Sequence, residues 1–409
     1  MTSGSQARVV VSGGGIGGNA VALQLIRAGA SVTVVERAAA ARPGGQAVDL
    51  RGPSEEVARR MGLMPGIRRY QLDERGMKMV DSAGRDVVRM PAEMFDGKGG
   101  VAEIEITRGD LNEVLLDAVT ETGAVDYRYG EWITGVAQDE AGVEVTFASG
   151  GTERFDLLIG ADGLHSATRR LVFGPEEEYS TYLGGYMSYF TIPMPNTVEP
   201  HWFTMHSVVG GANVGIRPDA DPATAKAIIT IRHDIDPTLR RNVPAQQQLI
   251  RESLAQGGWI SHEVVAAMDA ATDFYFDELA RIEMPAWYHG RVALLGDAGY
   301  CGSPMTGQGT AMALIGAYLL AGEIAASHDH LVQALVRYDR QLRPFVAKAQ
   351  TLPPGGVKAM TPRSSLGISA GHALNRFMTT KVMKPLMMKM LTRTESYELP
   401  DYPTKPVAR

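Results

Sequence analysis

The sequence predicts an α/β protein of mixed α+β character. A doubly wound parallel-sheet domain, discontinuous along the chain, carries an inserted, mainly antiparallel β domain and is followed by C-terminal helices. Three observations carry this reading. Three apolar runs, Val9–Ser12, Phe155–Gly160 and Arg291–Gly296, each lead into a glycine-containing turn and then a helical stretch, the pattern of parallel strands feeding helices. Between the second and third runs, from about residue 182 to 273, the chain changes to β-rich segments such as "YMSYFTI", "HWFTMHSVV" and "KAIITIRH", broken by Gly, Pro and Asn. The length of 409 residues suits about two to three domains.

In chain order, Val9–Ser12 is a β-branched buried strand, and "GNAVALQLIRAG" has helical spacing closed by Gly29. Val32–Glu36 is the next strand, completing a βαβ unit. Residues 75–105, with "GMKMVDSAGRDVVRM", read as a hairpin able to join the inserted sheet. The expected boundaries are 1–74, 106–180 and 281–350 for the doubly wound domain, 75–105 and 181–280 for the antiparallel domain, and 351–409 for a C-terminal helical segment and tail. Within that tail, "RFMTTKVMKPLMMKML" carries five of the twenty methionines, interleaved with lysines. It reads as a helix packed on the α/β domain, with a cover over the substrate entrance or a helix lying on a membrane surface as the alternatives. No membrane contact is expected overall.

Apolar residues make up 44% and charged residues 21% of the chain, and the net charge is −6. That balance favours solubility and disfavours nucleic acid, which selects a basic face. The single cysteine, Cys301, excludes an intramolecular disulfide and fits a reducing compartment. The longest apolar run, Ala311–Gly322, is too short to span a bilayer and is closed by Glu323. A cytoplasmic monomer or homodimer is expected. The histidines (His201 and His206, and "HDH" at 328–330) form no ligand spacing, and neither a G-x-S-x-G elbow nor a P-loop occurs.

Three motifs carry chemistry. Gly13, Gly15 and Gly18 form G-x-G-x-x-G directly after a strand. The first glycine makes the turn, the second admits a pyrophosphate, and the third lets helix and strand pack closely. The helix N-terminus then offers N–H groups and partial positive charge. Glu36 ends the second strand, placed to accept from ribose hydroxyls. Nicotinamide and flavin adenine dinucleotides share that ribose, so this motif leaves the choice open. "GADGLHSATRR" (Gly160–Arg170) sets Asp162-Gly163 after a buried strand, with Arg169 seven residues on; a capped helix start is the plain alternative. "GRVALLGDAGYCGSPMTGQG" (Gly290–Gly309) brings Asp297 out of a strand end, then a proline loop, then glycines opening a helix that could face a ring edge.

In this order and at these distances, the three motifs resemble the single-component FAD-dependent aromatic monooxygenases, the para-hydroxybenzoate hydroxylase-like family. The resemblance covers residue 8 to about residue 345. It implies that Gly13, Gly15 and Gly18 hold the FAD pyrophosphate, Glu36 the adenosine ribose, and Arg37 the adenine side. Arg108 in "ITRGDLNEVL" would reach the phosphate and ribityl region. Asp162 would support the pyrophosphate and the passage of NAD(P)H, and Asp297 the ribityl chain. Pro304, Gly307 and Gly309 would lie by the isoalloxazine, and Gln46 and Arg51 on the flavin's other side. FAD would be tightly bound, with NADPH or NADH and O2 as transient co-substrates and a flavin C4a-hydroperoxide delivering one oxygen atom, by hydroxylation or Baeyer–Villiger insertion.

The implied substrate is an aromatic or polyketide-like small molecule. In size the chain is nearest to the tetracycline- and antibiotic-modifying members. Tyr186, Ser188, Phe203, Met205 and Ile216 are the candidate substrate contacts on the inserted sheet. No conventional catalytic acid or base is assignable. The chain departs from the family at Tyr300, where many relatives have histidine, at Ala311, where asparagine is common, and at Gly316-Ala317, where an Asp-Ala pair is common. The alternatives are a flavin-dependent reductase, a halogenase or a non-catalytic flavin-binding protein. The halogenase W-x-W-x-I-P motif is absent, the four tryptophans being nowhere two apart.

Overall fold

The strand Arg8–Ser12 lies at the centre of a six-stranded sheet. The spatial order is Tyr288–His289, Val292–Leu294, Leu157–Gly160, Arg8–Ser12, Ser31–Glu36 and Val125–Tyr129. All neighbours are parallel except the two-residue edge strand. In this computed structural model the described residues are 6–42, 44–92, 104–327, 330–380, 382–383, 385–386 and 394–402. Residues 328–329, residues 93–103 of the expected hairpin segment, and residues 381, 384 and 387–391 of the Met-rich run lie outside them. From Arg8–Ser12 the chain first adds Ser31–Glu36 on one side and later Leu157–Gly160 on the other. The switch opens a crevice at the strands' carboxyl ends.

Burial on both faces explains the unbroken apolar strands. Val9, Val11, Val32, Val34, Leu157 and Ile159 pack into the core shared with the helices Ile16–Arg27, Arg108–Thr120 and Gly309–Ala325. Val10, Val35, Leu158 and Val292 face the other way, into a cluster with Ile133, Val143 and Phe155. Those residues belong to an antiparallel meander of Ile133–Gln138, Val143–Phe147 and Thr152–Phe155, an element the sequence reading did not separate. Gly17 and Gly18 each cost the first helix about 0.5–1 kcal/mol. Full burial of Leu23 and Leu25 in the same helix offsets this at about 1.5–3 kcal/mol each.

The second sheet has seven strands in the order Tyr275–Ile282, Ser180–Pro193, Thr224–Ile231, Ala212–Pro218, Trp202–Val208, Gly76–Val80 and Asp86–Pro91. The hairpin of residues 76–91 joins through a parallel pairing with Trp202–Val208. The helices Val243–Leu254 and Ser261–Met268 cover one face, over Phe190, Val214, Ile216, Ala227 and Ile229. The opposite face turns to the first domain, where Met187 and Leu279 cluster with Met305 and Val357. At the C-terminus, Tyr397, Leu399 and Tyr402 return to the main core, and the Tyr402 hydroxyl donates to Glu323 at 2.9 Å.

A buried ion cluster joins the inserted sheet to a separate two-stranded sheet of Ala47–Leu50 and Ile104–Thr107. Arg217, on the inserted sheet, donates through Nε to Glu74 at 2.8 Å. Its terminal nitrogens donate to Glu105 at 2.6 Å and to the Ala47 carbonyl at 3.2 Å. Asp49 lies 3.8 Å away and also pairs with Arg51. Burial, reinforced by their mutual repulsion, raises the pKa of Asp49, and burial raises that of Glu105. Removing one partner of a buried ion cluster leaves uncompensated charge. Arg217→Met should therefore lose about 3–5 kcal/mol of stability, read as a lowered denaturation midpoint. A variant melting like the parent would show that the cluster is dispensable.

Candidate active site

The crevice is built from the glycine turn outward. Gly13 has φ +108°, and its N–H donates to the Val35 carbonyl at 2.8 Å. A Cβ on Gly18 would stand 1.9 Å from the Gly13 carbonyl oxygen, so no side chain fits there. Around Gly15 the opposite holds: a Cβ would meet nothing within 4 Å. That gap lies at the start of the helix Ile16–Arg27, which has no side-chain cap to use its N–H groups. The Gly14 carbonyl accepts from Asn19 at 2.9 Å and Asn112 at 3.2 Å. Held by two amides, it cannot turn toward an anion. Asn19, Asn112 and Tyr127, which donates to Asn19 at 3.2 Å, were not singled out in the sequence. A polar residue in the helix directly after the glycine turn is the one signal that could have flagged Asn19; Asn112 lies on the separate helix Arg108–Thr120.

Glu36 accepts from Gly14 N–H and Ala38 N–H, both at 2.8 Å, one on each carboxylate oxygen. Its orientation is thus fixed, and each oxygen keeps a lone pair for a hydroxyl donor. Arg37 is exposed, with its guanidinium 5.6 Å from the Trp132 ring centroid. Gln46 and Arg108 are neighbours: the Arg108 N–H donates to the Gln46 carbonyl at 2.8 Å, and the Gly109 N–H to the Gly44 carbonyl. Thr107 caps the helix that Arg108 begins. The Arg108 guanidinium is exposed and makes no hydrogen bond or ion pair among the described residues. Arg51, by contrast, is bound to Asp49.

Asp162 is committed to its own loop. It accepts from the Ser166 hydroxyl and from Thr168, through N–H at 2.9 Å and Oγ1 at 3.0 Å. This is the capped helix start that the sequence also allowed. Arg169, fully buried, donates to the Leu164 carbonyl at 2.6 Å, to Glu176 at 2.9 Å, and to the Ala298 carbonyl at 2.8 Å. It ties the Asp-Gly loop to the residue after Asp297. His165 lies between two acids, 2.8 Å from Glu176 and 3.1 Å from Asp277 on the inserted sheet. Its hydrogen bonds to Asp277 and Glu176 push its pKa up to about 10, against the opposing effect of burial.

Asp297 sits half-buried at the end of Val292–Leu294, after Gly296 at φ +65°. Pro304–Thr306 forms a short 3-10 turn ended by Gly307 in the left-handed region. Gly307 and Gly309 each have open space where a Cβ would be. The helix Gly309–Ala325 then starts without a side-chain cap. Its first turn packs on that of Ile16–Arg27, with Gly17 3.7 Å from Ala313 by its missing Cβ. Two open helix N-termini therefore point into one crevice. A long ligand with a negative group at one end and a polarisable ring at the other fits that cradle.

The five candidate substrate contacts do not converge. Phe203 and Met205 face the first domain. Tyr186, Ser188 and Ile216 face the other side: Ile216 is in the helix-covered core, Ser188 donates to the Tyr275 carbonyl at 2.7 Å, and Tyr186 stacks on Phe276 at 5.2 Å. Strand parity is the reason. Met187 and Tyr189, one residue off, are the members of that strand on the open face, paired with Asp277 and Tyr275 across the next strand.

A family model described as "FAD binding domain" matches residues 6–351. A flavin-dependent monooxygenase from an unknown prokaryotic organism is 36% identical over 97% of this chain and 99% of its own length. A flavin-dependent monooxygenase of Legionella longbeachae is 37% identical over 83% of this chain and 86% of its own. The crystal structure of tetracycline destructase Tet(55) superposes with a TM-score of 0.81 at 33% identity, covering 98% of this chain and all (100%) of that one. The chain belongs to the FAD-dependent aromatic monooxygenase family.

Two of the monooxygenase's three departures from its family, Tyr300 and Gly316, have a packing basis. Tyr300 is fully buried, and burial raises its pKa. Its hydroxyl lies 3.0 Å from that of Tyr338, which donates to the Leu294 carbonyl at 3.0 Å, so Tyr300 is the donor to Tyr338. A Cβ on Gly316 would stand 2.1 Å from the Tyr300 hydroxyl. Tyrosine at 300 thus requires glycine at 316, and the two departures are one.

Gly316→Ala should cost about 1–3 kcal/mol through overpacking. In a Tyr300→Phe background the cost should shrink, giving a coupling energy in a double-mutant cycle; additive effects would separate the two positions. His165 gives a pH signature. Its folded pKa lies above its ordinary value of 6.5, so the stability it contributes is complete below about pH 6.5 and is lost as pH rises through about 10. His165→Gln should therefore flatten the fall in melting temperature over that window. An unchanged pH profile would show that His165 does not carry this charge.

Proposed function

We propose that this monooxygenase uses NAD(P)H and O2 to place one oxygen atom into an aromatic or polyketide-like molecule bound between its two sheets. The observation that carries this reading is the seam where the inserted sheet's open face meets the Pro304–Gly309 loop. Met187 and Leu279 touch Met305 there, with Tyr189 packed against them, and Phe203 and Met205 line the same face further on. A flexible, apolar and aromatic wall next to a ring-binding loop suits a flat substrate held over a flavin. The likeness to Tet(55) at 33% identity supports a fused-ring aromatic antibiotic as the first class to test.

Gly13–Gly18 and Arg108 would hold the FAD pyrophosphate, Glu36 the adenosine ribose, and Asp297 the ribityl chain. Backbone N–H groups at Gly307–Thr310 would face the pyrimidine edge of the ring, where they stabilise negative charge. When bound, FAD supplies the redox chemistry, and the chain binds, orients and excludes water. No side chain is assigned as a nucleophile.

Purified protein should be yellow. NAD(P)H oxidation under labelled O2 should rise with an accepted aromatic compound, and mass spectrometry should show a gain of one labelled oxygen. A reduced product without labelled oxygen would make the chain a reductase. Glu36→Ala should weaken FAD retention on dialysis by about tenfold or more, as expected for a lost charged hydrogen-bond acceptor. Retained colour with only NAD(P)H affinity lost would reassign Glu36. Phe203→Ala should raise KM about tenfold by removing apolar contact while leaving FAD content unchanged; an unchanged KM would move the substrate off this face.

A further inference from the structure

The helix Ser365–Met378 is amphipathic in the wrong sense for a packed surface helix. Its inward side makes polar contacts: Asn375 donates to the Met79 sulfur at 3.4 Å, and Arg376 Nε to the Val87 carbonyl at 2.8 Å. None of its residues is buried. Its outward side carries Leu366, Ala370, Ala373, Leu374 and Phe377, a stripe about 100° wide at helical spacing. Leu366 is 81% exposed, Leu374 59% and Phe377 55%. Beyond the helix, Val382 and Leu386 are also exposed, at 83% and 49%. Contiguous exposed apolar surface of this kind marks a contact site.

Charge decides what makes that contact. From residue 340 to residue 394 the sequence has no Asp or Glu and ten Lys or Arg, within a chain of net −6. Lys358 and Arg363, just before this helix in the chain, and Arg376 within it are exposed. An isologous contact with a second copy would set this basic stretch against itself. An anionic bilayer surface satisfies both features, taking the leucines and phenylalanine into the headgroup boundary and the cations onto its phosphates. No helix among the described residues is long and apolar enough to cross a membrane, so the contact is peripheral.

We propose that the helix Ser365–Met378 docks this protein reversibly on anionic lipid surfaces, contrary to the expectation from overall composition. Docking would bring the open face of the inserted sheet, which the helix touches at Met79, close to the lipid. That consequence rests on the substrate pocket proposed above; the docking does not.

The test is co-sedimentation of the FAD-loaded full chain with vesicles of phosphatidylcholine alone or mixed with phosphatidylglycerol. Binding should appear with the anionic vesicles, be about tenfold or more weaker with neutral ones, and be lost in high salt. The double variant Leu366→Glu, Phe377→Glu should lose binding while keeping FAD content and melting temperature. Lys358→Gln with Arg363→Gln should weaken it while leaving the apolar stripe intact. The proposal is overturned if the parent stays in the supernatant with anionic vesicles, or if the double glutamate variant sediments like the parent. It is also overturned if the parent is a dimer that this variant dissociates, which would assign the stripe to a second copy.

Discussion

The buried guanidinium of Arg169 is the constraint on which the crevice depends. The nucleotide-binding domain is assembled from segments separated by inserted chain, and local hydrogen bonding cannot hold such segments in register. Arg169 spans them. It fastens its own loop at Leu164 and Glu176 and reaches the Ala298 carbonyl, more than a hundred residues onward. An arginine with no solvent exposure is tolerable only with such partners. Its fork fixes two directions at once, so Asp297 and the Asp162 loop cannot drift apart. The Gly17 contact with Ala313 does the corresponding work between the two helices whose open N-termini share the crevice.

The seating of the inserted sheet on the rest of the molecule is set by charge as well as by packing. Arg217 reaches from the inserted sheet to Glu74, Glu105 and the strand at Ala47, and His165 reaches the other way to Asp277. Both ties leave the central part of the interface to Met187, Leu279 and Met305. Polar links at the edges with soft apolar side chains between them give a seam that is fixed in position yet adaptable in shape. That is the property a pocket for large aromatic molecules needs.

What could be read in the sequence was what sterics and chemistry make compulsory. Gly13, Gly18 and Glu36 were legible because the turn, the close approach and the acceptor each admit few residue types. The facing of the inserted sheet was not. Alternation groups Tyr186, Ser188 and Phe190 correctly, but it names an inward face only when the other face is polar. Here one face is covered by helices and the open face turns to the nucleotide domain, and the alternate set Met187, Tyr189 and Thr191 is no more polar than the first. Arg169 was visible as a residue but not as a link, since its partner at Ala298 is a backbone carbonyl and leaves no mark in composition. The meander over Val10, Val35 and Leu158 was hard to separate because only its central strand, Val143–Phe147, alternates cleanly, while Ile133–Gln138 and Thr152–Phe155 do not.

The pair Tyr300 and Gly316 shows how departures from a family pattern should be weighed. Taken separately, a lost histidine and a lost acidic side chain suggest weakened function. The geometry gives them one cause: the tyrosine hydroxyl occupies the space of the missing side chain and spends its proton on Tyr338, which spends its own on Leu294. A phenol with its proton so committed, its pKa raised by burial, has no path to solvent or to a ring in the crevice. Proton transfer at this site therefore does not pass through position 300. The exchange instead bought a rigid end to the strand Val292–Leu294, from which Asp297 leaves. A departure that stiffens the strand end from which Asp297 leaves is compatible with catalysis, and it argues against reading these losses as the decay of an enzyme.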